Sequence, residues 1–361
     1  AQDLLGLIEA SLNADYTSVR QICNRIAGYS AASAPDISKK IKLAIRRNGV
    51  PLRASGYSEA LPIDPKSRSA LIEEQAWPSC PAFINENLKK TFDAFISSVK
   101  NYDLLFDHGL TGKMNLLMSG PPGTGKTLVA GHIAQTLNMP LYVVRLDSLI
   151  SSLLGDTAKN IRNVFDFVPG KNGIIFLDEF DAIGKLRNDQ HELGELKRVV
   201  NTLIQAIDSL DDKAIVIAAT NHAELLDRAI WRRFPYRMKF EKPDFSLRTH
   251  LWNYFLFQEK GETATTSALA KISDGLSGAE IESISLSARR LAVISGDTID
   301  LQATTLEVLA SSEASYETTT IENHNKKDIC RLLHKRFKLS QAEILTIIKT
   351  SRQTLSTYLK D

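Results

Sequence analysis

Short apolar runs alternate with longer segments of helical periodicity through the middle of the chain. The runs are MNLLMSG (114–120), LYVVRLD (141–147), GIIFLDEFD (173–181), AIVIAATN (214–221) and YRMKFEKPD (236–244). Their content of Ile, Val, Leu and Phe, and the helical stretches between them, favour a parallel sheet that is buried on both faces. The pattern therefore predicts an α/β domain.

The segments on either side of this domain show no strand pattern. Residues 1–49 place Leu and Ile at three- and four-residue spacings, which predicts a helical N-terminal module. Pro, Ser and Gly accumulate over 50–81, so this segment is predicted to be a linker. We assign 82–245 to the α/β domain and 246–312 to an all-helical unit. A polar joint then leads into a separate tail within 313–361.

Composition limits the possible classes of protein. A chain of 361 residues favours two or three domains, and 43% hydrophobic with 24% charged residues is ordinary for a globular protein in water. No uninterrupted apolar stretch approaches the roughly 18–20 residues of a membrane span, so no membrane partner is expected. Cys23, Cys80 and Cys330 are far apart and have no metal-like spacing, which favours a reducing, cytoplasmic location.

The positive charge of the chain is concentrated in its tail. The whole sequence has a formal net charge of +2. From Thr320 to Asp361, however, nine Lys and Arg residues stand against four Asp and Glu residues. The basic surplus is therefore local to the tail.

A phosphate-binding loop follows the first apolar run. Its eight positions are Gly120, Pro121, Pro122, Gly123, Thr124, Gly125, Lys126 and Thr127. The glycines allow main-chain N–H groups to surround a phosphate at the start of a helix. Lys126 would neutralise the β- and γ-phosphate oxygens, and the Thr127 hydroxyl would ligate Mg²⁺. The alternative, a glycine-rich turn with an accidental Lys-Thr pair, is disfavoured by the flanking strand and helix.

An acidic pair about fifty residues later complements this loop. Four apolar residues, 174–177, run directly into Asp178 and Glu179. Asp178 would hold Mg²⁺ through water, and Glu179 would orient and deprotonate the attacking water. The sequence thus predicts ATP and Mg²⁺ as cofactors.

A third group of polar residues follows the next apolar run. Asn221 ends that run, where its amide would hold the attacking water beside Glu179. Arg232 and Arg233 follow a short helix, and guanidinium groups stabilise charge on a transferred phosphoryl group. An adjacent pair could also be a solvated helix end, but its position after Asn221 favours a catalytic role in a neighbouring subunit.

These motifs together resemble the AAA family of ATPases, in the branch that contains katanin, spastin and the membrane-anchored bacterial AAA proteases. The resemblance covers about 82–311 and includes GPPGTGKT, IIFLDEFD, TNHAELLDRAIWRRF and GLSGAEIESI. It implies a P-loop domain with a five-stranded parallel sheet, an all-helical lid and ATP bound between subunits. It also implies a ring, usually a hexamer, in which Arg232 and Arg233 act in trans.

The resemblance assigns further residues to the nucleotide base and to a central pore. Residues 107–110 and the lid residues Gly278 and Ala279 match positions around the base. The pore loop corresponds to Ser152, Leu153 and Leu154, with Leu153 where threading motors of the family have an aromatic. Leucine offers a less rigid contact surface than an aromatic ring. This departure favours gentler remodelling, or a switch, over forceful unfolding.

The basic tail resembles a bacterial helix-turn-helix. SQAEILTII would be the first helix, KT the turn and SRQTLSTYL the reading helix. The residues that would face DNA are Ser351, Arg352, Gln353, Ser356 and Thr357. Leu345, Lys349 and Thr350 depart from the pattern where it has a small residue, a glycine and an apolar residue. DNA contact and protein docking therefore both stay open.

Three functional hypotheses follow. The first is a cytoplasmic, ring-forming ATPase that couples ATP hydrolysis to remodelling or regulation of a protein or protein–DNA partner. The second is an ATPase adaptor that the helix-turn-helix recruits to DNA. The third is a regulatory ATPase whose N-terminal helices hold a subtilisin-like protease, since similar bacterial AAA proteins are encoded beside such proteases.

Overall fold

The structure is a computed structural model of the chain. It describes residues 22, 23, 26, 61–64, 70–110, 112–144, 146, 157–181, 195–226, 228–311 and 326–360. The contacts divide the chain into two units, 1–61 and 62–361. The predicted N-terminal module therefore lies almost entirely outside the described residues, and so do the pore-loop positions Ser152, Leu153 and Leu154.

A six-stranded sheet forms the centre of the second unit. The strands are β1 (Ile72–Gln75), β2 (Met114–Ser119), β3 (Leu141–Val144), β4 (Ile174–Leu177), β5 (Ile215–Thr220) and β6 (Tyr236–Lys239). Their order across the sheet is β1-β3-β4-β5-β2-β6. Strands β2 to β6 pair in parallel, which confirms the predicted α/β fold class.

The sixth strand lies in the segment that was predicted to be a linker. β1 pairs antiparallel with β3, and Ile72 is opposite Val144. Ile72 is fully buried, whereas Glu73 and Glu74 are exposed. An edge strand of this length with two central acids has too weak an apolar pattern to be recognised from sequence.

Helices cover the sheet. Around it lie α1 (Glu86–Lys100), α2 (Tyr102–Asp107), α3 (Lys126–Leu137), α4 (Thr157–Gly170), α5 (Glu195–Ser209) and α6 (Arg228–Trp231). Leu116 and Met118, which share one face of β2, pack in one cluster with Phe95 of α1 and Ile133 of α3. Burial of these apolar faces holds the strand ends in place.

Three strand ends meet at the carboxyl edge of the sheet. β4, β5 and β2 are neighbours, so the residues that follow them emerge side by side. In open α/β sheets this edge is where ligands bind. Asp178 follows β4, Asn221 follows β5, and Gly120 follows β2.

The chain after β6 is helical. Its helices are α7 (Phe245–Phe255), α8 (Thr263–Ile272), α9 (Gly278–Ser295), α10 (Leu301–Ser311), α11 (Lys326–Lys335), α12 (Gln341–Ile347) and α13 (Arg352–Lys360). We call α7–α10 the helical lid and α11–α13 the tail. None of the helices in the described part of the chain has the length and apolar character needed to cross a membrane.

The tail packs on the lid through a shared hydrophobic core. Trp252 and Leu269 of the lid lie in the same buried cluster as Leu333, Ile344 and Leu355 of the tail. Burial of this size contributes about 1.5–3 kcal/mol for each large apolar side chain. The tail is therefore fixed to the lid rather than extended from it.

An ion pair reinforces this contact at the start of α12. Glu343 Oε1 accepts a hydrogen bond from Lys271 Nζ at 2.7 Å, and Glu343 also closes a capping box with Ser340. Burial raises the pKa of Glu343, but the hydrogen bonds from Lys271 and Ser340 outweigh it, so the pKa lies below its ordinary value. The carboxylate therefore stays ionised at neutral pH and links α12 to α8.

Candidate active site

The loop between β2 and α3 has the backbone of a phosphate cradle. Gly123 and Gly125 have φ angles of +72° and +90°, in the left-handed region that favours glycine. Gly125 is also the N-cap of α3, so the main-chain N–H groups at the start of this helix face the loop. This arrangement creates positive potential at the strand end.

Two glycines of the loop are required because other chain segments approach them closely. A Cβ on Gly120 would lie 2.2 Å from the main-chain oxygen of Phe240, after β6. A Cβ on Gly123 would lie 2.7 Å from Ser277 Oγ, at the start of α9. The N–H of Ala279 donates to the Gly123 oxygen at 3.1 Å. The lid therefore rests directly on the phosphate loop.

Gly120→Ala is expected to reduce the free energy of unfolding by about 2–4 kcal/mol, because the methyl group would clash with backbone and the φ angle of +148° would be strained. Urea unfolding followed by circular dichroism measures the change. Gly112→Ala is the matched control, since a Cβ there meets nothing within 4 Å. An equal decrease in the free energy of unfolding in both variants would contradict the predicted clash at Gly120.

Lys126 lies inside the cradle and is only 7% exposed. Its Nζ donates hydrogen bonds to the main-chain oxygens of Gly120 and Pro121 and to Asn221 Oδ1, each at 2.8 Å. The contact with Asn221 joins the start of α3 to the end of β5. The ammonium group is thus held at the point where phosphate oxygens would enter.

Asp181 is a site residue that the sequence reasoning missed. It is 5% exposed, and its Oδ1 accepts hydrogen bonds from Thr220 Oγ1 at 3.2 Å and from the Asn221 N–H at 3.3 Å. It therefore sets the position of Asn221. Burial lowers the pKa of Lys126, and the charges of Asp178 and Asp181 act in the opposite direction.

Thr127, Asp178 and Glu179 are adjacent, as the motifs predict. The Thr127 hydroxyl donates to Asp178 Oδ2 at 3.1 Å, and the Glu179 N–H donates to Asp178 Oδ1 at 2.9 Å. Glu179 has a φ angle of +50°, which is uncommon for a residue with a side chain. Strain of this kind persists at functional sites because neighbouring structure imposes it. The exposed Glu179 side chain lines the cavity.

A cavity of about 500 Å³ connects these groups. The predicted residues that line it are Pro122, Gly123, Thr124, Gly125, Lys126, Thr127, Asp178, Glu179, Asn221, Gly278 and Ala279. Gly120 and Pro121 contribute the carbonyl partners of Lys126. Residues that are distant in the sequence therefore line one cavity.

The apolar end of the cavity has a different lining from the one expected. Cys80 and Phe83 line it, and residues 107–110 do not. Phe83 contacts Tyr254 edge-to-face, with ring centroids 5.2 Å apart, and Phe255 with centroids 5.6 Å apart. Phe83 and Phe255 thus give the cavity an apolar end next to the cradle.

The structure distinguishes the two neighbouring arginines. Arg233 forms a bidentate pair with Asp208, with Nε–Oδ1 and Nη2–Oδ2 distances of 2.8 and 2.7 Å, and also donates to the Ala229 oxygen. Arg232 is exposed, and its guanidinium has no partner among the residues that the structure describes. Arg233 is held within its own chain, whereas Arg232 is free to reach outward.

The residues present fit ATP and Mg²⁺. The space beside Gly125 is open, since a Cβ there would meet nothing within 4 Å, and the buried Lys126 follows it directly. The neighbouring oxygens of Thr127 and Asp178 are the hard ligands that Mg²⁺ prefers. The cavity therefore suits a magnesium-bound triphosphate at one end, and its other end is apolar.

Comparison with known proteins gives the family of this domain. The sequence model described as "ATPase family associated with various cellular activities (AAA)" matches residues 116–242. The chain therefore contains an AAA-family domain, which includes the phosphate loop, the acidic pair and both arginines. The finer placement beside katanin and spastin stays a prediction.

Two curated relatives are similar to the chain. "Uncharacterized AAA family ATPase y4kL" of Sinorhizobium fredii is 45% identical over 152 residues, which are 42% of this chain and 46% of that protein. "Proteasome-activating nucleotidase" of Saccharolobus islandicus is 32% identical over 222 residues, which are 59% of this chain and 56% of that protein. The chain thus spans about half the length of these relatives.

Proposed function

We propose that the chain is a ring-forming ATPase that couples ATP hydrolysis to remodelling or regulation of a protein or protein–DNA partner. One observation carries the proposal. A buried lysine, a Thr–Asp oxygen pair, an exposed glutamate and an asparagine converge on one cavity from three neighbouring strand ends. Catalysis of phosphoryl transfer needs such positioned charges more than covalent chemistry.

Each residue then has a defined task. Lys126 exchanges its carbonyl partners for β- and γ-phosphate oxygens, and Glu179 accepts a proton from the attacking water. Asn221, held by Asp181, orients that water. Bound Mg²⁺, held by Thr127 and Asp178, would neutralise charge on the phosphates.

A ring would complete this site. Arg232 is exposed on the surface after α6, where its guanidinium can enter the cavity of a neighbouring copy and stabilise charge that develops on the γ-phosphoryl group. Arg233, paired with Asp208, would hold the segment that presents it. We propose a homo-oligomer, with a hexamer as the expected size.

The partner is proposed to be a protein. A relative carries the name proteasome-activating nucleotidase, which favours a role beside a protease. A subtilisin-like protease stays the candidate from the sequence resemblance. The predicted contacts for such a partner are the pore-loop residues 152–154 and the N-terminal helices. The pore-loop residues and almost all of the N-terminal helices fall outside the described residues.

Lys126→Ala tests the proposal most directly. Loss of this charge is expected to lower ATP turnover by about 100-fold or more, because no other buried cation in the described cavity faces the phosphates. Turnover is measured on the full chain with ATP and Mg²⁺, and light scattering reports the assembly state. Lys239→Ala is the control, since Lys239 is an exposed lysine of β6. Wild-type turnover no higher than that of Lys126→Ala would overturn the proposal.

A further inference from the structure

The tail folds as a compact three-helix unit. Ile329, Ile344 and Leu355, from its three helices, are all buried in one cluster. Helix α12 ends at Ile347 and α13 begins at Arg352, so the connection between them is short. Short connections of this kind set the angle between the two helices of the motif.

The turn explains why lysine replaces the usual glycine. Ile348, the C-cap of α12, has extended backbone with φ −118° and ψ 124°. Lys349 does not have a positive φ angle, unlike Lys338, which precedes α12. This turn therefore needs no left-handed residue, and Lys349 is free to contribute charge. Two other departures, Leu345 and Thr350, are half-buried, and Leu345 packs against the shared core.

Helix α13 packs on the other two helices of the tail and keeps a polar face exposed. Helix α12 lies against α8 and α10 of the lid, whereas α13 packs on α11 and α12. Arg331 Nε donates a hydrogen bond to the main-chain oxygen of Tyr358 at 2.7 Å, which links α11 to the end of α13. Arg352, Gln353 and Thr357 of α13 are exposed. The attachment to the ATPase and the outward polar face therefore use different helices.

The charge of this surface is strongly positive. Between Lys326 and Lys360 the tail has nine Lys and Arg residues and two acids, Asp328 and Glu343. Glu343 is already paired with Lys271 of the lid. Lys326 Nζ donates to the main-chain oxygen of Lys349 at 3.4 Å, so the ammonium group of Lys326 lies at the turn before α13. Lys349, just before α13, and Arg352, its first residue, are exposed. We call Lys326, Lys349 and Arg352 the turn cluster.

We propose that α13 and the turn cluster form a binding surface for duplex DNA that the lid carries. The three cations of the turn cluster contact phosphates, and Gln353 reaches base edges in the major groove. Duplex DNA fits better than a protein partner because protein interfaces have apolar or aromatic centres, and no large exposed hydrophobic side chain occurs in the described tail residues. This inference goes beyond the proposed ATPase function and does not depend on hydrolysis.

Fluorescence anisotropy of a labelled duplex with the full chain, without nucleotide, tests the surface. The combined variant Lys326→Ala, Lys349→Ala, Arg352→Ala is expected to bind at least about tenfold more weakly than the wild type. The slope of the logarithm of its binding constant against the logarithm of salt concentration should be shallower by up to roughly 3. The matched control removes three exposed lysines of α1, Lys89, Lys90 and Lys100, with the same change in net charge. The control should bind like the wild type.

Two further variants separate folding from contact. Arg352→Glu alone should weaken binding in a protein that melts at the wild-type temperature, because Arg352 is exposed. Gln353→Ala should lose discrimination between duplex sequences while keeping the salt slope. The proposal is overturned if the wild type does not bind duplex, if the α1 control loses as much affinity, or if the turn-cluster variant binds normally. If the turn-cluster variant binds DNA normally but no longer co-purifies with a protein that the wild type retains, the surface docks a protein instead of DNA.

Discussion

Glu179→Gln is expected to lower ATP turnover by about 10²–10⁴-fold while ATP stays bound, because an amide cannot accept the proton of the attacking water. Glu179 lies next to Asp178 at the end of β4, with its side chain exposed to the cavity. The lysine, the glycines and the lid contacts that hold the triphosphate are unchanged in this variant. The variant should therefore bind ATP like the wild type but hydrolyse it much more slowly.

The measurement pairs steady-state phosphate release with binding of a fluorescent ATP analogue. Glu241→Gln and Glu282→Gln make the same chemical change at two other residues that line the cavity. Each should keep turnover within a small factor of the wild type. If Glu179→Gln hydrolyses ATP normally, or if Glu241→Gln is equally impaired, the role of Glu179 as the base is wrong.

Arg232→Ala should have the second large effect, a loss of turnover of about 10³-fold or more, because a guanidinium supplied in trans stabilises charge on the transferred group. Arg233→Ala should behave differently. It removes the bidentate pair with Asp208, so it is expected to lower the free energy of unfolding by about 1 kcal/mol. Asp208→Asn should reproduce this loss of stability.

Mixed assemblies give the decisive measurement for Arg232. Arg232→Ala keeps Glu179, and Glu179→Gln keeps Arg232, so each variant supplies what a neighbour lacks. Mixing two inactive variants should restore part of the turnover if Arg232 acts across an interface. No recovery in mixtures that form assemblies of wild-type size would place Arg232 outside the neighbour's site.

The parts of the site that were predictable are those with contiguous motifs. The loop from Gly120 to Thr127 contains its own backbone requirements, and Asp178–Glu179 directly follows an apolar strand. Such local patterns depend on neighbours in sequence. The five predicted strands were confirmed, and four of them, β2 to β5, are short runs of mostly buried residues that are recognisable for the same reason.

The residues that were missed act only through distant contacts. Asp181 matters because Thr220 and Asn221 meet it from another strand, about forty residues later. Phe83 lines the cavity because the lid aromatics fold over it. No local sequence pattern distinguishes Asp181 from other aspartates of the chain, or Phe83 from other buried or half-buried phenylalanines.

The amino-acid sequence by itself determined the α/β class, the phosphate loop and the acidic pair, because strand burial and phosphate binding are encoded in short continuous stretches. Only the tertiary structure decided which arginine is free, since Asp208 of α5 lies twenty-five residues from Arg233 along the chain. It also decided how the tail is placed. Lys271 and Glu343 are distant in sequence but paired in space, so α12 docks on the lid and α13 faces outward.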